Sequence, residues 1–250
     1  MTDQKKKSGN QLINSVTYNT SLIFLDVQAY SSNPLYPSEI GCARVQNGKL
    51  LATLHTFISP SNLIEISQSK ELSAQFYITK KLYTGIPVPW FNEFKKCQPC
   101  VKYEQNLQQF GSLLTQFCTA SSQTLKNGLE NVNVKLLGEF EEHSDFMFFA
   151  KGIDLENKVL SHMMGLENKV IETEQVYNKY FHEKIVFKNL HSHREFDFCA
   201  FHQKCPNDNP EKMKNCALDN AMYLAKIYLE KYGLDQKEVV FQDDEIVVEW

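Results

Sequence analysis

The patterned part of the chain opens with Ser21-Leu-Ile-Phe-Leu-Asp-Val-Gln28, a nearly continuous apolar run. Such a run suits a strand buried on both faces, because successive side chains point to opposite sides and both sides must be dry. A turn-rich stretch, Ser31–Pro37, follows. Ile40–Gln46 and Lys49–Ile58 read as two more strands, and Asn47-Gly48 between them supplies the positive-φ pair of a tight hairpin. Pro60 closes this unit, and residues 60–100 read as irregular, with Pro87, Pro89 and Pro99. Within Tyr103–Cys118, Leu107, Phe110, Leu113, Leu114 and Phe117 recur at helical spacing. Ser121–Asn133 reads as a loop. Asp145–Ala150 is another buried strand, and Gly152 turns it into a helix beginning near Asp154. Asp154 is its expected N-cap, and Leu155, Val159, Leu160 and Met163 lie on one side. Thr173–Phe181 reads as a short helix. Cys216–Tyr232 reads as another, with Leu218, Met222, Ala225 and Leu229 on one stripe and Gly233 as its stop. The tail, Asp235–Trp250, is acidic with one apolar strand-like run.

A buried first strand, a hairpin beside it and later helix–strand units predict an α/β fold, a mixed sheet covered by helices. The pattern divides the chain into a flexible leader (1–20), one domain (21–232) and an acidic C-terminal tail (233–250). Hydrophobic residues make up 42% of the 250, ample for a packed core. The net charge of −4 excludes a global attraction to nucleic acid or acidic membranes, so any such binding needs a local basic patch. No apolar run reaches the roughly 20 residues of a membrane span, and the polar opening MTDQKKKSGNQ holds no signal-peptide apolar region. Seven cysteines without regular spacing suit a reducing compartment better than a disulfide scaffold. These features predict a soluble cytoplasmic or nuclear protein.

The densest chemistry lies near the last helix. Cys199 and His202 are close enough for one turn to aim both at a single ion, and Cys216 follows where the helical pattern begins. Two thiols and an imidazole are suitable zinc ligands, and zinc takes four. Cys97-Gln-Pro-Cys100 offers a rival: with Cys199 and His202 it would make a Cys₃His site. His191 and His193 share a face of an extended segment and suggest an acid–base pair, set against a reading as exposed polar residues. Asp26 ends the first strand where ribonuclease H-like exonucleases begin their metal site. The expected partners, an acid, a His and an Asp, are absent, because Gln28, Asn215 and Asn220 stand there. Two divalent ions need several carboxylates, and Asp26 alone cannot hold them. For nucleic acid, Phe76–Lys102 interleaves Tyr77, Tyr83, Trp90, Phe91 and Phe94 with Lys80, Lys81, Lys95, Lys96 and Lys102. Lysines track phosphates while aromatic faces stack on unpaired bases, so Lys80, Lys81, Tyr83, Trp90, Lys95 and Lys96 are the candidate RNA contacts.

Several segments together resemble the Maelstrom domain of germline small-RNA silencing. They are Phe24–Tyr30, Tyr36–Cys42, Leu54–Pro60, Phe149–Gly152 and Cys199-x-x-His202 with Cys216, covering roughly residues 21–232. The resemblance implies a ribonuclease H-like fold whose exonuclease acids gave way to a Glu-Cys-His-Cys structural zinc set. Carried onto this chain, that set is Glu39, Cys199, His202 and Cys216, with Cys205 as the alternative to Cys216 because the spacer after His202 is long. Four such ligands fill a tetrahedron and leave no place for an activated water. The resemblance also implies single-stranded RNA binding, Piwi-pathway protein partners, transposon silencing and perinuclear germ granules or the nucleus. It allows a weak single-strand endoribonuclease that does not use the lost metals. Many members carry a high-mobility-group box; the sequence shows none, and no DNA-bending role is carried over. A catalytically dead interaction module is the alternative expectation, and an active DEDD-type 3′–5′ exonuclease is disfavoured.

Overall fold

The computed structural model describes residues 20–58, 63–79, 103–104, 107–128, 133–166, 170–174, 216–232, 239–242 and 245–248. Strands β1 (Ser21–Ser32), β2 (Leu35–Gln46) and β3 (Lys49–Ile58) form an antiparallel meander. β4 (Tyr103–Glu104) pairs parallel with β3, and β5 (Asn133–Leu136) pairs antiparallel with it. β6 (Phe146–Ala150) runs parallel to β1, and β7 (Val170–Glu172) parallel to β6. The result is a seven-stranded mixed sheet ordered β4-β3-β2-β1-β6-β7, with β5 also on β3. β8 (Val239–Gln242) and β9 (Glu245–Val248) form a separate hairpin. The helices are α1 (Leu63–Gln68), α2 (Lys70–Thr79), α3 (Leu107–Thr119), α4 (Ser122–Gly128), α5 (Asp154–Met164) and α6 (Ala217–Tyr232). The predicted mixed α/β class stands.

The period-2 alternation of β1 builds two cores. Leu22 and Phe24 join Met222, Leu224 and Ala225 of α6 and Ile66 and Phe76 of α1 and α2. Ile23, Leu25 and Val27 join Phe110, Leu114 and Phe117 of α3 and Val159, Leu160 and Met163 of α5. The sheet is therefore a middle layer with helices on both faces, and burying each large apolar side chain contributes roughly 1.5–3 kcal/mol. Two glycines let helices approach closely. A Cβ on Gly41 would collide with the backbone of Ala217 and Leu218, so α6 begins directly on β2. A Cβ on Gly111 would strike the Met163 carbonyl, which sets the α3–α5 crossing. Arg44 is fully buried, and its Nη1 donates to the Phe117 and Ala120 carbonyls at 3.0 and 2.8 Å. Its guanidinium also lies 4.5 Å from the Phe140 ring centroid. It thus satisfies carbonyls at the negative end of α3 from within the sheet. No described helix is long and apolar enough to cross a membrane.

Four local expectations are corrected. Ser31–Pro37, expected as a turn-rich stretch, lies mostly within β1 and β2, with only Asn33-Pro34 turning between them. Residues 60–100 are not wholly irregular, because α1 and α2 form there. Their apolar side chains are spread around the helices, with Ile66 and Phe76 buried but Ile64, Tyr77 and Ile78 exposed by 73%, 49% and 50%. No apolar stripe marks them, so periodicity misses them. Ser121–Asn133 holds α4, whose start is fixed by Ser121 Oγ accepting from the Thr124 N–H at 3.2 Å. Asp154 is the first residue of α5, and Ile153 precedes it as a cap with no side-chain hydrogen bond. Asn47 and Gly48 do take positive φ, 52° and 66°, as the β2–β3 hairpin requires.

Candidate metal centre

Glu39 and Cys216, 177 positions apart, meet beneath the first turn of α6. Strand register explains the encounter. Glu39 lies between Gln28 of β1 and Phe57 of β3, and Gly41, two residues on, lies between Asp26 and His55. Alternate residues share a face, so these six positions form two adjacent rows on one side of the sheet. The bare backbone at Gly41 admits the start of α6 onto those rows. Cys216 Sγ then donates to Glu39 Oε1 at 3.5 Å. Four residues on, one helical turn, Asn220 Nδ2 donates to Asp26 Oδ2 at 3.1 Å.

The Glu39 pocket holds an unforeseen member. His55 Nε2 lies 2.6 Å from Glu39 Oε1, and Glu39, His55 and Cys216 present ligand atoms all within 4.8 Å of one another. All three are buried. Glu39 Oε2 is buried with no partner among the described residues. A buried carboxylate oxygen without a hydrogen-bond partner is costly, and a cation held by the carboxylate offsets that cost. Carboxylate and thiol are donors that a borderline metal such as zinc accepts, and an imidazole beside them can ligate the ion or hydrogen-bond a ligand. The group is therefore suited to hold a metal ion.

The structure brings together two of the four sequence-predicted ligands, Glu39 and Cys216. Cys199 and His202 lie outside the described residues, as do Cys205, Cys97, Cys100, His191, His193 and Asn215. So do the candidate RNA contacts Lys80, Lys81, Tyr83, Trp90, Lys95 and Lys96. Tyr77, at the start of that basic–aromatic stretch, is half-exposed on α2, whereas Phe76 stacks on Tyr30 in the core at a ring separation of 4.3 Å.

Asp26 occupies a second, differently furnished pocket. Its Oδ2 accepts from Gln28 Nε2 at 2.6 Å as well as from Asn220. Burial raises its carboxyl from 3.8 to about 7; the two amides oppose that rise, and the Glu39 charge adds to it. Glu156, at the start of α5, is the second residue that sequence reasoning missed. Burial pushes it to about 9, the Asp26 charge adds to the rise, and the Val27 backbone hydrogen bond opposes it. An acidic residue in the first turn of a helix attracts no notice in a sequence, because such residues usually complement the helix dipole at the surface. Here it is buried, and the backbone of Val27 in β1 hydrogen-bonds to it.

No protein-family model matches the chain, and no curated protein matches it.

Proposed function

We propose that this chain is an RNA-associated factor of Piwi-interacting-RNA transposon silencing, a Maelstrom-like domain on a ribonuclease H-like fold with a structural zinc. The observation that carries this reading is the contact between Glu39 and Cys216, the two members of the implied ligand set that fall among the described residues. The strand order β3-β2-β1-β6-β7, with β2 antiparallel to its neighbours and β6 and β7 parallel to β1, also supports it. In this reading Glu39, Cys199, His202 and Cys216 hold zinc in a closed tetrahedron, which ties β2 to the start of α6 and has no water to activate. Single-stranded RNA is held by the basic–aromatic stretch of Lys80, Lys81, Tyr83, Trp90, Lys95 and Lys96. Piwi-pathway proteins are its partners, in perinuclear germ granules or the nucleus.

Gln28 and Asn220 argue against a DEDD-type exonuclease, since their amides donate to Asp26 where further carboxylates would have to share a metal. A second reading, an interaction module without cleavage, is favoured by the exposed Ile64, Tyr77 and Ile78. The deciding experiment measures single-stranded RNA binding and cleavage by the purified chain with and without EDTA. Binding with cleavage that survives EDTA supports an RNA factor with a weak metal-independent endonuclease, and binding alone supports the factor without it. Magnesium-dependent end trimming supports the exonuclease, and neither binding nor cleavage supports the module. Replacing Lys80, Lys81, Lys95 and Lys96 by Ala should weaken binding for all sequences and flatten its salt dependence.

A further inference from the structure

His55 has no place in the implied ligand set, and the distances around Glu39 define its part. Oxygen and nitrogen ligands sit about 2.0 Å from zinc and sulfur about 2.3 Å, so in a tetrahedron an S···O pair is roughly 3.5 Å apart and an N···O pair roughly 3.3 Å. Cys216 Sγ and Glu39 Oε1 are 3.5 Å apart, the spacing of two ligands of one ion. His55 Nε2 and the same Oε1 are 2.6 Å apart. Two ligands that close would subtend only about 80° at the metal, far from the tetrahedral angle. The distance instead fits a short hydrogen bond to a charged acceptor. A metal-binding carboxylate carries no proton, so the hydrogen belongs to Nε2 and the imidazole donates.

We propose that His55 is a positioning residue of the metal centre: it donates Nε2–H to Glu39 Oε1, orients the carboxylate toward the ion shared with Cys216, and does not touch the metal. The inference rests on the metal-binding reading above. Two further observations support it. The His55 ring packs on Phe57 with centroids 4.9 Å apart and planes tilted by 56°, which restrains the imidazole. His55 pairs with Gly41 in the register, so its reach to Glu39 is diagonal and no side chain intervenes between them. Outer partners that fix a ligand's rotamer typically matter for affinity by 10–100-fold.

The test loads the full chain with Co²⁺, which reports coordination through its d–d bands and thiolate binding through a near-ultraviolet charge-transfer band. Affinity is read by competition with a chelator. The parent should take one Co²⁺ with a thiolate signature. His55→Ala should lose roughly 10–100-fold in affinity while the d–d bands keep their positions and intensities. His55→Gln, whose amide Nε2 can donate from nearly the same place, should stay within about threefold of the parent, again with unchanged bands. Shifted or weakened d–d bands in either variant would make His55 a ligand and overturn the proposal. Unchanged affinity in His55→Ala would overturn it as well. Should His55→Ala fail to fold, the bands and affinity of His55→Gln still decide. A parent that binds no Co²⁺ through a thiolate would instead overturn the metal-binding reading itself, a result distinct from any His55 effect.

Discussion

Asp26 and Glu39 are both buried acids on the same face of the sheet, and one turn of α6 reaches both, yet their neighbours do opposite things. Around Asp26, two amides donate to one carboxyl oxygen. Amide N–H groups are satisfied by an acceptor and cannot bind a cation, so this pocket stabilises a carboxyl without inviting a metal. Around Glu39, a thiol and an imidazole join a carboxylate whose second oxygen has no partner among the described residues. Both of those side chains can become metal ligands or support one. The same scaffold thus carries one acid closed by neutral donors and one acid open to an ion. The difference lies in Gln28 and Asn220 on one side, and in His55 and Cys216 on the other.

The most forceful way to break this contrast is to remove the thiol. Cys216→Ala should reduce bound zinc from about one per chain to a trace and cost several kcal/mol, since the binding energy of a structural zinc is folding energy. Asp26→Asn should leave zinc content unchanged. Elemental analysis of the purified variants with a thermal melt checks both. Equal zinc in the parent and Cys216→Ala would end the assignment of the ion to the Glu39 pocket. Loss of zinc in Cys97→Ala and Cys100→Ala, with Cys216→Ala unaffected, would move it to the rival set.

A smaller effect is expected where the two pockets join. Gly41 is flanked by Asp26 and His55 in the sheet, and α6 rests on it. Gly41→Val should force α6 outward and cost about 3 kcal/mol, the upper range for overpacking against backbone that cannot yield. Because Cys216 and Asn220 both ride on that end of the helix, zinc affinity should fall in parallel. Urea unfolding and chelator competition measure the two effects. A variant that is destabilised but keeps the parent's zinc affinity would show that the pocket does not depend on this approach.

How much of this was legible in the sequence depends on what each feature needed. The buried first strand, the Asn47-Gly48 hairpin and the stripe of α6 follow from short-range pattern, and they formed where that pattern lies. Glu39 and Cys216 were singled out by residue type and resemblance, and register brought them together. His55 could not be read in the same way. Counting back from the hairpin turn sets Glu39 opposite Thr56 and turns His55 to the other face. The register shifts between Arg44 and Val45, passing over Leu51, so that Glu39 pairs with Phe57 and His55 joins its face. One extra residue in one strand reverses facing beyond it, and no local composition announces it. Glu156 was missed for a similar reason, because it is buried and its neighbours Asp26 and Val27 in β1 lie far away in sequence.

The mildest prediction concerns the Asp26 pocket and pH. Burial lifts Asp26 from 3.8 to about 7 and Glu156 from 4.5 to about 9, so both hold protons more tightly folded than unfolded. Folding then takes up protons between those values, and stability must fall as pH rises through the window. The contribution of Asp26 is fully present below about pH 4 and is lost as pH rises through about 7; that of Glu156 is lost as pH rises through about 9. Asp26→Asn keeps an oxygen to accept from Gln28 and Asn220 but cannot ionise. At pH 8 it should be more stable than the parent by a few kcal/mol, and near pH 4 the two should converge. Removing the Asp26 charge should also ease ionisation of Glu156, which shifts the remaining decline to lower pH. Denaturant unfolding of both proteins from pH 4 to 9 measures this, and any nuclease activity should stay within a few-fold of the parent. A loss of roughly a hundredfold in activity would instead make Asp26 a working metal-holding or acid–base residue. A variant less stable than the parent at pH 8 would mean that Asp26 is held ionised by its two amides, and the pocket would then resemble that of Glu39 more than the contrast allows.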